Sequence, residues 1–111
     1  MIKLKKADKQ FLASENIENE AYICTDNEEI LGICEYSLKD NEIFIISINC
    51  EDNSLADGLI RQTMNNALDC GYNICKFTKE VAEKMYELRI IKEENAEEID
   101  ILDFFLKLNC I

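Results

Sequence analysis

The stretch Asn49–Asp57 contains the groups best placed to bind a small anion. The apolar run of β-branched and aromatic residues at 43–48 precedes it and predicts a buried strand. The residues that follow predict a helix over 54–70, with Ser54 as N-cap and Asp57 as the acidic partner of a capping box. Because the free amides of a helix N-terminus attract anions, a strand leading directly into a helix predicts an anion-binding site.

The cysteines are the other reactive side chains, and the chain has six of them: Cys24, Cys34, Cys50, Cys70, Cys75 and Cys110. None are spaced as C-x-x-C, and we expect no secretory signal, because the first residues are too charged for one. We therefore expect reduced, buried cysteines that pack as small hydrophobic side chains. A four-cysteine zinc site is the alternative, although these spacings do not favour it. The chain has no histidine, which removes the commonest general base and metal ligand, so no metal site is expected.

The charge balance limits the classes of partner. The 111 residues include 23 acidic and 12 basic side chains, for a net charge of −11. Such a surface repels nucleic acid and anionic membranes, and no apolar run is long enough to cross a bilayer. We expect a single cytoplasmic domain, 1–111, that binds neither. The absence of proline and the abundance of Asn, Lys, Glu and Ile are typical of an AT-rich bacterial genome.

The hydrophobic periodicity predicts alternating strands and helices. Strands are expected at residues 1–6, 21–25, 30–38, 43–48, 72–77 and 89–91, and helices at 8–14, 54–70, 78–88 and 99–108. Short turns join three consecutive strands into an antiparallel meander. The strand after the 54–70 helix should lie parallel to the 43–48 strand through a crossover. Gly32 marks a bulge or a close approach, and Gly71 a left-handed helix end.

This order of elements resembles the GNAT acetyltransferase superfamily. Residues 29–33, Glu-Ile-Leu-Gly-Ile, are similar to the family's E-I-x-G-x strand. Leu59, Ile60, Ala67 and Gly71 fall at the spacing of the helix that follows the family's acetyl-CoA loop. The resemblance implies an α+β, GNAT-like fold, with an antiparallel meander followed by a β-α-β crossover. The family has two helices between its first two strands, so the N-terminal helical region should be truncated here.

The resemblance also implies acetyl-CoA as cofactor. Its pantetheine arm would lie along the edge of the 46–48 strand, and its pyrophosphate would contact backbone amides at residues 53–58. The residues implied in cofactor binding are Ile46, Ile48, Asn53, Ser54, Leu55, Ala56, Asp57 and Gly58.

The predicted phosphate loop departs from the family pattern of Arg or Gln, two residues, Gly, one residue, then Gly or Ala. Here Glu51 stands at the basic or amide position, Ser54 at the first glycine and Ala56 at the last position. A carboxylate about 5 Å from a phosphate costs on the order of 1–3 kcal/mol at a protein surface. Since Asp52 adds a second carboxylate, acetyl-CoA binding is expected to be weak or lost.

The catalytic residues implied by the resemblance are Tyr86 and Glu35. The sequence Met-Tyr-Glu-Leu at 85–88 is similar to the family's F-Y-x-K-L-G-F motif but one residue short, and places Tyr86 as general acid. A second stretch, 104–110, keeps the spacing but has Phe105 at the tyrosine position. Glu35 or Glu42, both on the meander, could act as general base for an amine.

Two functions follow from this reading, and they differ in class. The first is transfer of an acetyl group from acetyl-CoA to an amine, such as a polyamine or a lysine-rich protein attracted by the acidic surface. The second is a catalytically inactive GNAT-like module that binds a protein partner or associates with itself as a homodimer. A redox or metal protein based on the cysteines is a more remote third class.

Overall fold

The protein forms one six-stranded mixed sheet with four helices; the structure, a computed structural model, describes residues 1–109 and the side chains of 1–107. The strands are β1 (Ile2–Lys6), β2 (Glu20–Asp26), β3 (Glu29–Lys39), β4 (Glu42–Cys50), β5 (Ile74–Phe77) and β6 (Glu98–Asp100). The helices are α1 (Lys9–Ser14), α2 (Asn53–Asp69), α3 (Lys79–Glu87) and α4 (Ile101–Asn109). No helix within residues 1–109 is both long enough and apolar enough to span a bilayer.

The strands lie in the sheet in the order in which they occur along the chain. Each of β1, β2 and β3 pairs antiparallel with the next strand, which gives the predicted meander. The next pair, β4 and β5, is parallel, as expected for strands joined through α2. The final strand, β6, returns antiparallel to β5. The α+β arrangement of a meander followed by a β-α-β crossover is thus confirmed.

The core lies between the sheet and α2. Apolar and small residues recur on this helix at three- and four-residue spacing, so one face of it is buried. Its buried residues are Ala56, Leu59, Ile60, Thr63, Met64 and Ala67. They pack against side chains from β3, β4 and β5, including Tyr36, Ile43, Ile45 and Cys75. The Tyr36 hydroxyl is buried without a hydrogen-bond partner among the described residues.

The opposite face of the sheet is covered only in part. Phe11 and Leu12 of the short helix α1 pack against Ala21 and Ile23 of β2. This six-residue helix is the one helix between β1 and β2, so the truncation expected of the N-terminal helical region is confirmed.

Several predictions of where elements begin or occur were wrong. Asp52, not Ser54, is the N-cap of α2, because its carboxylate accepts a hydrogen bond from Leu55 N at 3.0 Å. Residues 89–91 form no strand, since Arg89 has a φ of 62° and turns the chain after α3. The last helix begins at Ile101 rather than 99, because Ile99 pairs with Cys75 as part of β6.

Gly71 ends α2 as predicted, in the left-handed conformation with a φ of 94°. Gly71 N donates to Leu68 O at 3.0 Å and Tyr72 N to Ala67 O at 2.9 Å, the hydrogen bonds of a Schellman motif. We expect Gly71→Ala to lower the free energy of unfolding by about 1 kcal/mol, because a Cβ disfavours this φ.

Urea denaturation checks this prediction, with Gly71→Asn as the control because asparagine tolerates the left-handed region better than alanine. A smaller loss for asparagine than for alanine supports the conformational reason. An added Cβ meets no atom within 4 Å, so a steric clash does not account for either loss. Equal losses for the two variants would contradict the conformational reason.

Two bulges distort the centre of the sheet. In β3 the register passes from the pair Cys24–Gly32 to the pair Thr25–Ile30, which leaves Leu31 unpaired. In β4 it passes from Glu35–Ser47 to Tyr36–Ile45, which leaves Ile46 unpaired. Both interpretations of Gly32 hold, since it adjoins a bulge and an added Cβ would lie 2.8 Å from Cys50 Sγ.

Candidate functional site

The candidate site is a cleft where β4 continues beyond the end of β5. The two strands pair from Glu42–Ile74 to Ile45–Phe77, after which β5 ends and β4 runs on to Cys50. Among the described residues, no strand pairs with this side of β4 over 46–50. A cleft of about 290 Å³ lies between this free strand edge and α3. It is lined by Ser47, Ile48, Asn49, Cys50, Glu51, Glu80, Val81 and Lys84.

Thr78 holds α3 beside the free edge. Its backbone N donates to Ile45 O at 3.2 Å, and its Oγ1 donates to the carbonyl of the bulged Ile46 at 3.1 Å. The same Oγ1 accepts a hydrogen bond from Val81 N, which makes Thr78 the N-cap of α3. Thr78, which directly follows β5, is therefore hydrogen-bonded to both walls of the cleft, the free edge of β4 and helix α3.

The N-terminus of α2 lies at the end of β4, separated from it by only Glu51 and Asp52. The connection is therefore shorter than predicted, since residues 49 and 50 belong to β4 and α2 begins at Asn53 rather than 54. Asp52 accepts hydrogen bonds from Leu55 N through its side chain and from Ala56 N, at 2.9 Å, through its carbonyl. Within the described chain, the amides of Asn53 and Ser54 have no hydrogen-bond acceptor. A carboxylate of the protein thus occupies part of the position that an anion would take.

Three polar side chains connect α2 to α3 next to the cleft. Lys84 Nζ donates to Asn53 Oδ1 at 2.5 Å, and Asn53 Nδ2 donates to Glu87 Oε1 at 3.2 Å. Glu87 Oε2 lies 3.7 Å from Lys84 Nζ, which closes the network. The two helices that flank the candidate site are therefore joined by a lysine, an amide and a carboxylate.

The predicted cofactor residues are only partly brought together. Ile48 lines the cleft, whereas Ile46 lies outside the lining and its carbonyl is already bonded to Thr78. Asn53 and Ser54 offer the unbonded amides described above, and the Leu55 and Ala56 amides are taken by Asp52.

The last two predicted cofactor residues lie farther along α2. Asp57 does not complete a capping box, because its Oδ1 accepts from Arg61 Nε at 2.9 Å. Gly58 lies within the helix, where the nearest atom to an added Cβ would be Leu4 Cδ1 at 3.9 Å. Neither residue lines the cleft.

The two predicted catalytic residues lie apart from each other. Tyr86 is exposed and lies outside the cleft lining, because its place on the helix is on the side opposite Glu80 and Lys84. Glu35 is half-buried, accepts from Asn19 Nδ2 at 2.9 Å, and pairs in register with Ser47 of the cleft.

The alternative catalytic candidates are also away from the cleft. Glu42 is paired with Lys76 Nζ at 3.1 Å, at the start of β4. Phe105 packs edge-to-face on Phe104 of α4, with ring centroids 5.2 Å apart. Neither side chain is among those that line the cleft.

Sequence reasoning missed Lys84, Glu80 and Ser47 as cleft residues. The spacing of 80, 84 and 87 places these side chains on one polar face of α3, a signal that the sequence does contain. The sequence does not show that this face of α3 is turned to the cleft, because the hydrogen bonds from Thr78 to β4 fix the orientation of the helix.

A larger groove of about 810 Å³ lies near Phe44, Phe77 and Ala82, with Lys76, Lys79, Glu94 and Glu97 around it. β4 and β5 are paired with each other at Phe44 and Lys76, so the groove does not offer the unpaired strand edge of the cleft. The cleft is therefore the better candidate for a ligand that bonds to the backbone.

The cysteines show no catalytic or metal-binding arrangement in the described part of the chain. Cys24, Cys34, Cys50 and Cys75 are free and buried, and burial raises the pKa of the Cys34 thiol to about 12. Cys70 is exposed, so the prediction of burial was wrong there, because it lies at the C-terminal end of α2; Cys110 lies outside the described residues. Within residues 1–109, no cluster of three or more Cys, Asp or Glu side chains could hold a metal ion.

Comparison with known proteins gives structural neighbours. No protein-family model matches the chain, and no curated protein matches it. Among solved structures, the chain is similar to an acetyltransferase of the GNAT family from Staphylococcus aureus Mu50, with a TM-score of 0.60 at 9% identity over 86% of this chain and 89% of that one. It is similar to a Bacillus subtilis acetyltransferase in complex with CoA, with a TM-score of 0.59 at 11% identity over 80% and 73% of the two chains.

A third neighbour is the IAA acetyltransferase from Bacillus cereus ATCC 14579, with a TM-score of 0.58 at 10% identity over 78% of this chain and 74% of that one. Each of these similarities spans most of both chains, while the identities are too low to carry more than the fold. The chain has a GNAT-like α+β fold, and the prediction of that fold from its sequence is confirmed.

Proposed function

We propose that the cleft binds the pantetheine arm of acetyl-CoA and that the protein transfers the acetyl group to an amine. The observation that carries this proposal is the free edge of β4 over residues 46–50, which faces α3 and ends at the N-terminus of α2. The neighbour that is a CoA complex has the same overall fold, which supports this choice of cofactor.

The size of the cleft suits a slender arm better than a whole cofactor. Its volume of about 290 Å³ lies near the lower end of the ~300–1,000 Å³ typical of small-molecule sites. Pantetheine carries two amide groups, which can hydrogen-bond to an unpaired strand edge in the way that a neighbouring strand would. The nucleotide would then lie outside the cleft, against the surface near α2 and α3.

The phosphate end is the weak part of the site. The unbonded amides of Asn53 and Ser54 can donate to a phosphate, and Lys84 adds a positive charge nearby. Glu51, Glu80 and the N-cap carboxylate of Asp52 oppose an anion at the same place. We therefore expect acetyl-CoA to bind, but more weakly than it would to a loop without these acids.

The acidic surface favours a cationic acceptor, since the chain carries a net charge of −11. Glu35 lies beside Ser47 in the register of β3 and β4, so it is the better placed of the two predicted catalytic residues to accept a proton from an ammonium group. The departing CoA thiolate, with an alkyl-thiol pKa of about 8.5, can take up the proton that the attacking nitrogen loses as the amide forms, so that CoA leaves as the thiol. Tyr86 is then not required as general acid.

The second candidate function is a non-catalytic module that has kept the fold but not the cofactor. The specific observation in its favour is the Asp52 carboxylate, which already bonds to Leu55 N at the helix terminus. This candidate predicts no interaction with CoA compounds, together with binding to a protein partner or to a second copy of the chain.

Calorimetric titration with acetyl-CoA, followed by mass analysis of a polyamine acceptor, distinguishes the two. We expect binding and acetyl transfer by the wild type, and loss of both in Ser47→Trp, because the indole ring would fill the cleft. Ser37→Trp is the matched control, since Ser37 is a half-buried strand serine outside the cleft lining. A wild-type protein that shows no heat and no stabilisation at millimolar acetyl-CoA would leave the non-catalytic module as the better account.

A further inference from the structure

Lys84 is the cationic side chain among the described residues that line the cleft. It extends from α3, and the same lining contains two acids, Glu51 and Glu80. Its side chain is 22% exposed, compared with 42% for Lys76 and 52% for Lys6, the lysines of two other ion pairs. A lysine side chain that is buried to this degree loses rotamer entropy, so the contacts of Lys84 must offset that cost.

The contacts of Lys84 within the protein do not use all of its bonding capacity. An ammonium group has three N–H donors, and one of them bonds to Asn53 Oδ1 at 2.5 Å. The contact with Glu87 is 3.7 Å long, which is an ion pair but too long for a hydrogen bond. The Glu87 side chain is also 58% exposed, so water screens this attraction.

The ammonium group of Lys84 lies next to the N-terminus of α2, which is the part of the site where the local charge is least favourable to an anion. Asn53 is the first residue of α2, and its own amide has no acceptor among the described residues. A phosphate near this amide would be within reach of Lys84 if the ammonium group left Glu87. Glu87 is then a competitor for Lys84, and a phosphate is the stronger one because it carries more charge and more acceptor oxygens.

We propose that Lys84 is the residue that selects a phosphate-bearing thioester, and that Glu87 weakens this selection by competing for the same cation. This inference rests on the proposed function, because it assumes that a CoA thioester occupies the cleft. It assigns to α3 the positive charge that the stretch between β4 and α2 lacks, since Glu51 and Asp52 stand there.

The test compares two thioesters with the same acetyl-pantetheine arm, of which only one carries the phosphate groups and the adenosine. Acetyl-CoA carries a pyrophosphate and a nucleotide, whereas acetyl-pantetheine has the same thioester arm with no phosphate. We expect Lys84→Met to weaken acetyl-CoA binding by about tenfold and to weaken acetyl-pantetheine binding much less, because only acetyl-CoA carries phosphate groups. Glu87→Gln should strengthen acetyl-CoA binding severalfold, because the ammonium group is released from its carboxylate.

Lys79→Met is the matched control, since Lys79 is an exposed lysine of the same helix that lies in the separate groove. Lys84→Gln keeps a polar side chain, so it repeats the measurement if the methionine variant is unstable. The selective role of Lys84 would be overturned if either Lys84 variant bound both thioesters equally more weakly than the wild type, or if its binding of acetyl-CoA did not change. In both cases, binding of acetyl-CoA by the wild type would still uphold the proposed function. Absence of binding of both thioesters to the wild type would remove the proposed function and this inference together.

Discussion

Glu51→Arg is expected to raise the affinity of the protein for acetyl-CoA by about 10- to 100-fold at low salt. Glu51 lines the cleft and directly precedes the N-cap of α2, so its carboxylate lies where the cofactor's phosphates would approach. The substitution removes a repulsive charge and adds an attractive one at the same position. Because the side chain is exposed, the gain should shrink as salt is added.

Calorimetric titration at two salt concentrations measures this effect. Glu18→Arg is the matched control, since it changes the net charge equally at an exposed position between α1 and β2. If both variants bind acetyl-CoA equally more tightly, the effect comes from the overall charge of the protein and not from the cleft. An unchanged affinity in Glu51→Arg would mean that no phosphate binds near this residue.

Gly32→Ala should lower the free energy of unfolding by about 1–3 kcal/mol, as overpacking of a core does. An added Cβ would lie 2.8 Å from Cys50 Sγ, 3.0 Å from Cys50 Cβ and 3.3 Å from Leu59 Cδ2. Leu59 and Cys50 are both buried, so neither can move away without disturbing its own contacts. Urea denaturation followed by circular dichroism measures the loss.

Gly58→Ala is the matched control because it adds the same methyl group where there is room for it. Gly58 lies within α2, so alanine there should stabilise the protein by about 0.5–1 kcal/mol. Adding Cys50→Ala to Gly32→Ala should recover part of the stability, since it removes the nearest contacting atom. A loss in the double variant that equals or exceeds the sum of the two single losses would contradict steric conflict with Cys50 as the cause.

Much of the fold could be predicted because its signals are local. The apolar run at 43–48, the helical spacing of Leu59, Ile60 and Met64, and the glycine at 71 each predicted an element that the structure contains. The parallel pairing of β4 and β5 also followed, since a helix between two strands returns the chain to the same end of the sheet. The short β6 was missed because its pairing with β5 is not visible in a three-residue segment.

The site could be predicted less well because long-range contacts shape it. Ser54 was predicted as the N-cap of α2 and Asp52 takes that place, because both residue types are good N-caps and the local sequence pattern does not separate them. The bulge at Ile46 depends on the register with β3, which short-range patterns do not fix. The face that α3 turns to the cleft depends on hydrogen bonds from Thr78 to Ile45 and Ile46, more than thirty residues earlier in the chain.

The claim on which the account depends is that the free edge of β4 and the first turn of α2 together bind a CoA thioester. Hydrogen exchange of backbone amides, with and without acetyl-CoA, tests it most directly. We predict slower exchange at Ser47–Glu51 and at Asn53 and Ser54, with no change in β1 and β2. Protection confined to the groove around Phe44, or no protection anywhere at saturating acetyl-CoA, would contradict the account.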